Sequence, residues 1–418
     1  MRESWFINYT EYCYEFLHSC HGDGSTRANI AMSKTYHVAL LIDTSTSWGS
    51  RLIKGISQYS HQQGNWLIHV EPRGRYEQFH IPEGWEGDGI IARINRQQFA
   101  DEINATGLPA INVSWYPYEG SKIVRCSASE HESGQLAAEY FLAHGFRLFA
   151  YCGPLKRPGY CDQFAESYSK TLAAAGYTCS VYPAPSGEQR IIAWKEQLNS
   201  LVNWLRQLPS PTGLLCWSAA RGRQLTEACQ YANIRVPDDV AVLGGDHDDL
   251  MSLISTPQLS TIDHPAERIG SEAARMLENL MTGSGPTEKS LMFSPTRVIV
   301  RHSTDILAID DQLVQSALKM IREQACNGVN VAQIVSQLMI ARRALEQRFV
   351  KRLGRTPAME IRRVRIETAK QLLVETELSM SEVAKATGFE EQDQFSRTFR
   401  RSLDMTPTQF RSLHRGSH

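Results

Sequence analysis

The side chains best equipped to grip another molecule crowd one stretch near the carboxyl end: Gln392, Asp393, Ser396, Arg397, Arg400 and Arg401. Amide, carboxylate, hydroxyl and guanidinium groups in one place supply hydrogen-bond donors and acceptors long enough to reach a partner. Between them Phe395, Phe399 and Leu403 recur every four residues, which sets them in one buried stripe of a helix and turns the polar set onto its other faces. Leu378 to Phe410 therefore reads as a short helix, a turn at Gly388-Phe389 and a second helix. Thr406-Pro407 is expected to stop that helix, because proline removes a donor and restricts the residue before it.

The design occurs twice. Leu345, Phe349, Leu353 and Thr356-Pro357 lie 50 positions before Phe395, Phe399, Leu403 and Thr406-Pro407. The leading helices align at 49 (Val331 with Met380, Ile334 with Val383), so the second turn is one residue longer. Ala358 to Leu373 joins the repeats as a further helical pattern, its apolar positions being Ile361, Val364, Ile366, Ala369, Leu372 and Leu373. Two helix-turn-helix units on one connecting helix can place two reading helices in successive major grooves, which repeat at about 34 Å along one DNA face.

The repeat, and above all GFEEQDQFSRTFRRSLDMTP, resembles the AraC/XylS family of bacterial transcription regulators over roughly residues 310 to 412. The resemblance implies binding to double-stranded DNA. Carried over position by position, it implies base contacts from Arg342, Arg343, Glu346 and Gln347 on the first reading helix. Gln392, Asp393, Ser396 and Arg397 take the corresponding face of the second. Arginine suits guanine, glutamine suits adenine, and a carboxylate accepts from cytosine N4; Glu346 and Asp393 are equally readable as surface charges. Arg348, Lys351, Arg355, Arg400 and Arg401 are assigned to phosphates, which position a protein without reading sequence.

Charge agrees with that placement. From Ile306 onward 18 Lys and Arg face 13 Asp and Glu, a net +5, which leaves 26 against 32, or −6, before it. A basic end beside an acidic remainder confines phosphate attraction to one part of the chain. The 418 residues suggest two to three domains, and 42% hydrophobic content is ample for their cores. No apolar run approaches the length of a membrane span. Nine scattered cysteines without a CxxC pair, and no secretion signal, point to reduced thiols in a cytoplasm. Cys13, His18, Cys20 and His21 match no zinc spacing, so no metal is expected. Residues 1–34 show little periodicity, and Met32, just before the first strand, is the expected start of translation.

From Tyr36 strands and helices alternate over about 270 residues, which argues a parallel α/β architecture in two lobes with a cleft between them. Strands are expected at His37 to Ile42, Trp66 to Val70, Gly89 to Ile94, Pro109 to Val113, Leu148 to Cys152, Gly213 to Trp217 and Val240 to Gly244. Helices are expected at Ser50 to Gln62, Glu132 to His144, Gln163 to Ala175, Ile191 to Leu208, Arg221 to Tyr231 and Ala266 to Met281. Gly87, Gly89 and Ala92 fit GxGxxA but precede a strand instead of following one, so no nucleotide cofactor is implied.

Ile234 to Leu250, Leu259 to Leu277 and RGRQL at Arg221 to Leu225 are similar to the effector domain of LacI-type regulators and periplasmic sugar-binding proteins. The fold expected is thus a two-lobed α/β sensor over 35–303, a linker at 304–312, an all-α tandem helix-turn-helix domain over 313–412 and a tail. Ligands of parallel α/β sheets sit beyond the carboxyl ends of the strands. Sugars need bidentate hydrogen bonding for hydroxyls and a flat apolar surface for their CH faces. The candidates are Asp43, Trp48, Arg51, Arg93, Asn112, Trp115, Arg221 and Asp246. Ser129 and Ser218-Ala219 stand where the family usually has acidic residues, and fewer acidic acceptors imply a different ligand, a weaker one, or none. The whole reads as a dimeric regulator, an activator by resemblance, gated by a small sugar such as xylose and working with RNA polymerase. The alternatives are an effector-independent repressor, a non-regulatory sugar-binding protein, or an α/β enzyme, for which no catalytic constellation appears.

Overall fold

The computed structural model describes residues 34–74, 77–116, 123–154, 161–183, 194–285, 290–305 and 311–414. Cys13, His18, Cys20, His21 and Met32 lie outside the described residues. The chain opens with β1 (Tyr36–Leu41), α1 (Ser47–Gln63), β2 (Trp66–Val70), β3 (Gly89–Ala92), α2 (Gln97–Thr106), β4 (Ala110–Asn112) and β5 (Val124–Ala128). It crosses to a second lobe with α3 (Glu130–Ala143), β6 (Leu148–Cys152), α4 (Gln163–Ala174), β7 (Cys179–Val181) and α5 (Trp194–Leu205). There follow β8 (Thr212–Cys216), α6 (Ala219–Ala232), β9 (Val240–Gly244), α7 (Asp249–Ile254) and β10 (Ser260–Asp263). It returns with α8 (Ala266–Met281) and β11 (Ser290–Phe293), then crosses again to β12 (Arg297–Ile299).

Two six-stranded sheets result, in the orders β11-β5-β4-β3-β1-β2 and β12-β10-β9-β8-β6-β7. Among the described pairings only β10 with β12 is antiparallel. Strands β3, β8 and β9 are buried along their whole length, as parallel strands covered on both faces must be. In the first lobe α1 and α8 cover one face of the sheet and α2 the other. In the second, α5 and α6 lie on one face and α3 and α4 on the opposite one. Helices α1 and α8 approach so closely that a Cβ on Gly270 would stand 2.1 Å from the Leu52 carbonyl oxygen.

The three crossings are tied to each other: the Ser129 amide donates to the Phe293 carbonyl at 2.8 Å, and the Thr296 amide to the Asp263 carbonyl at 2.9 Å. Side chains at strand ends cap the next helices. Thr46, Ser129, Asp162, Ser218 and Asp248 each accept a backbone N–H in the first turn of α1, α3, α4, α6 and α7.

The carboxyl-terminal part is all helical: α9 (Gln312–Gln324), α10 (Val331–Gln337), α11 (Arg342–Leu353), α12 (Pro357–Glu375), α13 (Met380–Ala386), α14 (Gln392–Leu403) and α15 (Pro407–His414). The repeat extends to the caps. Asn330 with Gln333 and Ser379 with Glu382 form capping boxes at α10 and α13. Gly354 and Asp404 take the left-handed conformation that ends α11 and α14. Asp404, not Thr406-Pro407, therefore stops the second reading helix; Thr406 and Gln409 exchange hydrogen bonds at the start of α15. Pro407 is the first residue of that helix, where its missing N–H costs nothing.

Leu345 and Phe349 of α11 are buried with α9, α10 and Ile361 from the amino half of α12. Phe395 and Phe399 of α14 are buried with α13, Phe410 and the carboxyl half of α12, through Ile366, Ala369 and Leu373. One helix of 19 residues, about 28 Å long at 1.5 Å per residue, thus serves both cores and fixes the two units to each other.

Candidate nucleic-acid interface and effector cleft

Burying the Phe and Leu stripes of α11 and α14 leaves their polar faces outward. Arg342, Arg343 and Gln347 are exposed, as are Gln392, Asp393 and Arg397, while Glu346 and Ser396 are half-buried. Arg342 Nε donates to Glu346 Oε1 at 2.9 Å, so that acid balances a neighbouring guanidinium. Arg397 Nε donates to the Asp393 carbonyl at 3.3 Å. Lys351, Arg400 and Arg401 stand exposed near the ends of these helices.

One of the five assigned phosphate contacts is corrected. Arg355 points inward: its Nε donates to Glu360 Oε2 and its Nη2 to the Ala143 carbonyl at 2.6 Å. Its side chain is only 15% exposed, because Glu360 is buried beneath it and needs a cation. Burial alone raises the Glu360 carboxyl, but Arg363 and Arg355 more than reverse this and hold it at about 2. Arg348 Nη1 donates to Asp311 Oδ2 at 2.8 Å and ties α11 to the start of α9, leaving about half its side chain in solvent.

In the α/β part, the expected residues gather where the strands of both sheets end. Arg93 donates to the buried carboxylate of Asp43, so that acid is already paired within the protein. Trp48, at the start of α1, and Trp115, after β4, lie 6.5 Å apart between ring centroids. Two residues not singled out from the sequence complete this aromatic box. Trp217, following β8, stands edge-on to Trp115 at 5.5 Å, and His264, following β10, stands edge-on to Trp48 at 6.0 Å. Trp217 was findable, since it ends a strand under the same rule that selects Asp246. His264 was hidden because β10, four residues long, went unrecognised.

The box carries polar atoms that the protein does not use. Ser133 donates its hydroxyl to the Ser129 carbonyl and so accepts from His264 Nε2 at 2.9 Å. His264 Nδ1 is then a bare acceptor, and with the Trp217 Nε1–H it is buried with no partner among the described residues. Burial, helped by Arg51 and His247 and opposed by Asp263, pushes the His264 imidazole down to about 4. The ring is neutral at physiological pH. One donor, one acceptor and flat indole faces suit a neutral polyhydroxylated molecule.

The other candidates take different places. Asp246 accepts from the Ala219 amide at the start of α6, and Arg221 Nη1 donates to Gln224 at 2.9 Å on that helix. Arg51 is taken by Asp263 at 2.9 Å and the His264 carbonyl at 3.1 Å, so it braces a crossing. Asn112 is corrected: its Oδ1 accepts from the Ile94 and Ser114 amides and its Nδ2 donates to the Tyr116 carbonyl. That amide shapes its own turn. Ser129 and Ser218, where acids were expected by resemblance, serve as the caps of α3 and α6.

Comparison with known proteins agrees with both halves. Family models match as "XylR N-terminal domain" over residues 37–121, "Periplasmic binding protein-like domain" over 138–304 and "Helix-turn-helix domain" over 334–412. The xylose operon regulatory protein of Escherichia coli K12 is 27% identical over 394 residues, covering 91% of this chain and 98% of that protein. Its Haemophilus influenzae counterpart is 28% identical over 386 residues, covering 90% and 98%. A solved structure described as the xylose-binding transcription activator xylR superposes with a TM-score of 0.57 at 25% identity, covering 92% of this chain and 99% of that one. A probable maltose operon repressor, at 13% identity and a TM-score of 0.54, shares the fold over 65% of this chain. These findings define a DNA-binding transcription regulator with a two-lobed periplasmic-binding-protein-like sensor and an AraC-type tandem helix-turn-helix. Within that class the chain is similar to the xylose operon regulatory proteins over about nine tenths of its length.

Proposed function

We propose that this regulator responds to a small neutral sugar, with xylose the first candidate because its relatives are named for the xylose operon. The observation that carries the reading is the box of Trp48, Trp115, Trp217 and His264, with an unused donor and an unused acceptor between two lobes. Arg93, Arg221 and Asp246 would complete the hydroxyl contacts. Binding would favour one arrangement of the lobes and shift the population of DNA-competent molecules. Arg342, Arg343, Gln347, Gln392, Ser396 and Arg397 would read bases, with Lys351, Arg400 and Arg401 on phosphates. The protein would act in the cytoplasm as a homodimer on repeated half-sites, activate transcription through RNA polymerase, and perform no reaction on the sugar. The domain limits of 35–303 and 313–412 belong to this proposal.

A thermal-shift screen of pentoses, hexoses and sugar acids tests it, because a ligand of the folded state raises apparent stability. A rise with xylose or another neutral sugar, recovered unchanged after incubation, supports a non-catalytic sensor. A response confined to sugar acids, or conversion of the bound sugar, contradicts it.

A further inference from the structure

The first reading head is fastened to the sensor by two arginines that answer each other. Arg147, just beyond α3, donates from Nη2 to the Arg352 carbonyl at 2.6 Å, in the last turn of reading helix α11. Arg355, just beyond α11, donates from Nη2 to the Ala143 carbonyl at 2.6 Å, the last residue of α3. Each guanidinium thus takes a carbonyl at the end of the other domain's helix, where backbone acceptors lack intrahelical partners and the helix dipole favours positive charge. Around this clasp the Tyr140 ring lies against His144, tilted at 35° with centroids 4.1 Å apart, and the Tyr140 hydroxyl bonds Thr304 at 2.8 Å.

The opposite end of α3 lies in the effector cleft. Ser129 caps it, and Ser133 in its first turn bonds His264 of the aromatic box. The 14 residues of α3 span about 21 Å, and the helix is packed into the core of the second lobe with α4. We propose that α3 is the element that carries the first reading head: its amino end senses the occupied cleft, and its carboxyl end holds α11 through the Arg147–Arg355 clasp. The reading head then follows the lobe that contains α3 when the lobes move. Arg355 serves this contact in place of a phosphate. The gating part rests on the sugar-sensor reading above; the clasp itself does not.

The test uses the full chain and a promoter fragment that it shifts, with and without D-xylose. Wild type is expected to change DNA affinity by roughly fivefold or more on adding xylose, the lower end of ordinary allosteric coupling. Arg147→Gln is expected to bring that ratio below about twofold while xylose affinity by calorimetry stays at the wild-type value. Arg147→Lys, which keeps a charged donor but not the planar fork, should restore part of the ratio. An Arg147→Gln protein that folds, binds xylose and retains the full ratio overturns the proposal. A second arm needs no effector: spin labels on the second lobe and on α12 report the sensor–reader distance distribution. Arg147→Gln should broaden it, and an equally narrow distribution refutes the clasp. A wild type that ignores xylose while the distribution broadens rejects the effector assignment and leaves the clasp supported.

Discussion

Two buried histidines, His144 and His264, make stability fall on mild acidification by an amount the structure sets. His144 is 7% exposed, and its Nδ1–H donates to the Tyr140 carbonyl at 2.7 Å; burial and then Arg322 push it from 6.5 to about 3. His264, 2% exposed, is pushed from 6.5 to about 4. Both folded values lie below the unfolded one, so the unfolded chain binds the protons first. The stabilisation is complete above pH 6.5 and is lost as pH falls toward 4 to 3. Between pH 7 and pH 5 the unfolded state gains about 1.4 pKa units' worth of proton binding at each site, or about 2 kcal/mol each and about 4 kcal/mol together. That is a large share of the roughly 5–15 kcal/mol of a typical domain. Glu360 does not blur the window: its depressed carboxyl contributes fully above 4.5 and is lost only as pH falls from there toward 2. Urea unfolding at pH 7, 6 and 5 is the assay, on wild type, His144→Gln and His264→Gln. Each variant should reduce the acid-induced loss by about 2 kcal/mol. Variants that keep the full wild-type slope would show that these imidazoles are not held neutral by burial, and the reasoning would fail.

Arg397→Ala should cost about 1–3 kcal/mol at a specific site and relax preference at one base pair, read by competition binding; equal weakening on random DNA would contradict a base-reading role. Lys351→Gln should instead flatten the salt dependence of binding without changing sequence preference, as expected for a lost phosphate contact. Met339 takes a positive φ of 50° in the turn between α10 and α11 and is 94% exposed, so Met339→Gly should stabilise by about 1 kcal/mol in thermal unfolding. Gly388 fills the same place in the second turn, at φ 76°, where a Cβ would stand 2.8 Å from the Ala325 carbonyl. Gly388→Ala should therefore destabilise by more than about 1–2 kcal/mol, and a neutral result would place that turn elsewhere.

The helical part was legible in the sequence because its stripes are strongly periodic. Phe395 and Phe399 repeat at one helical spacing, and the 50-residue offset returns them at Leu345 and Phe349. Strands β2, β6 and β9 and helix α8 fall within the expected limits because each is bounded by a change of pattern. Helix α2 was missed because QQFADEINAT buries only Phe99, Ala100 and Ile103. Strands β7 and β10 to β12 are three or four residues long, too short to show a period. The cleft was half legible. Position after a strand located Trp48 and Trp115, but the fate of a polar group depends on its neighbours. Nothing in the sequence shows that Arg51 is spent on Asp263, that Asn112 is spent on its own turn, or that Arg355 is spent on Glu360 and Ala143. Contacts across 200 residues leave no local trace.

Helices α11 and α14, fixed on one shaft, are expected to enter neighbouring major grooves. Hydroxyl-radical footprinting of the full chain on promoter DNA measures this directly. Two protected patches on one face of the duplex, about 10 base pairs apart for each protomer, are the predicted result, with Arg397→Ala weakening only the patch under α14. A single patch, or protection that does not depend on sequence, would contradict the account.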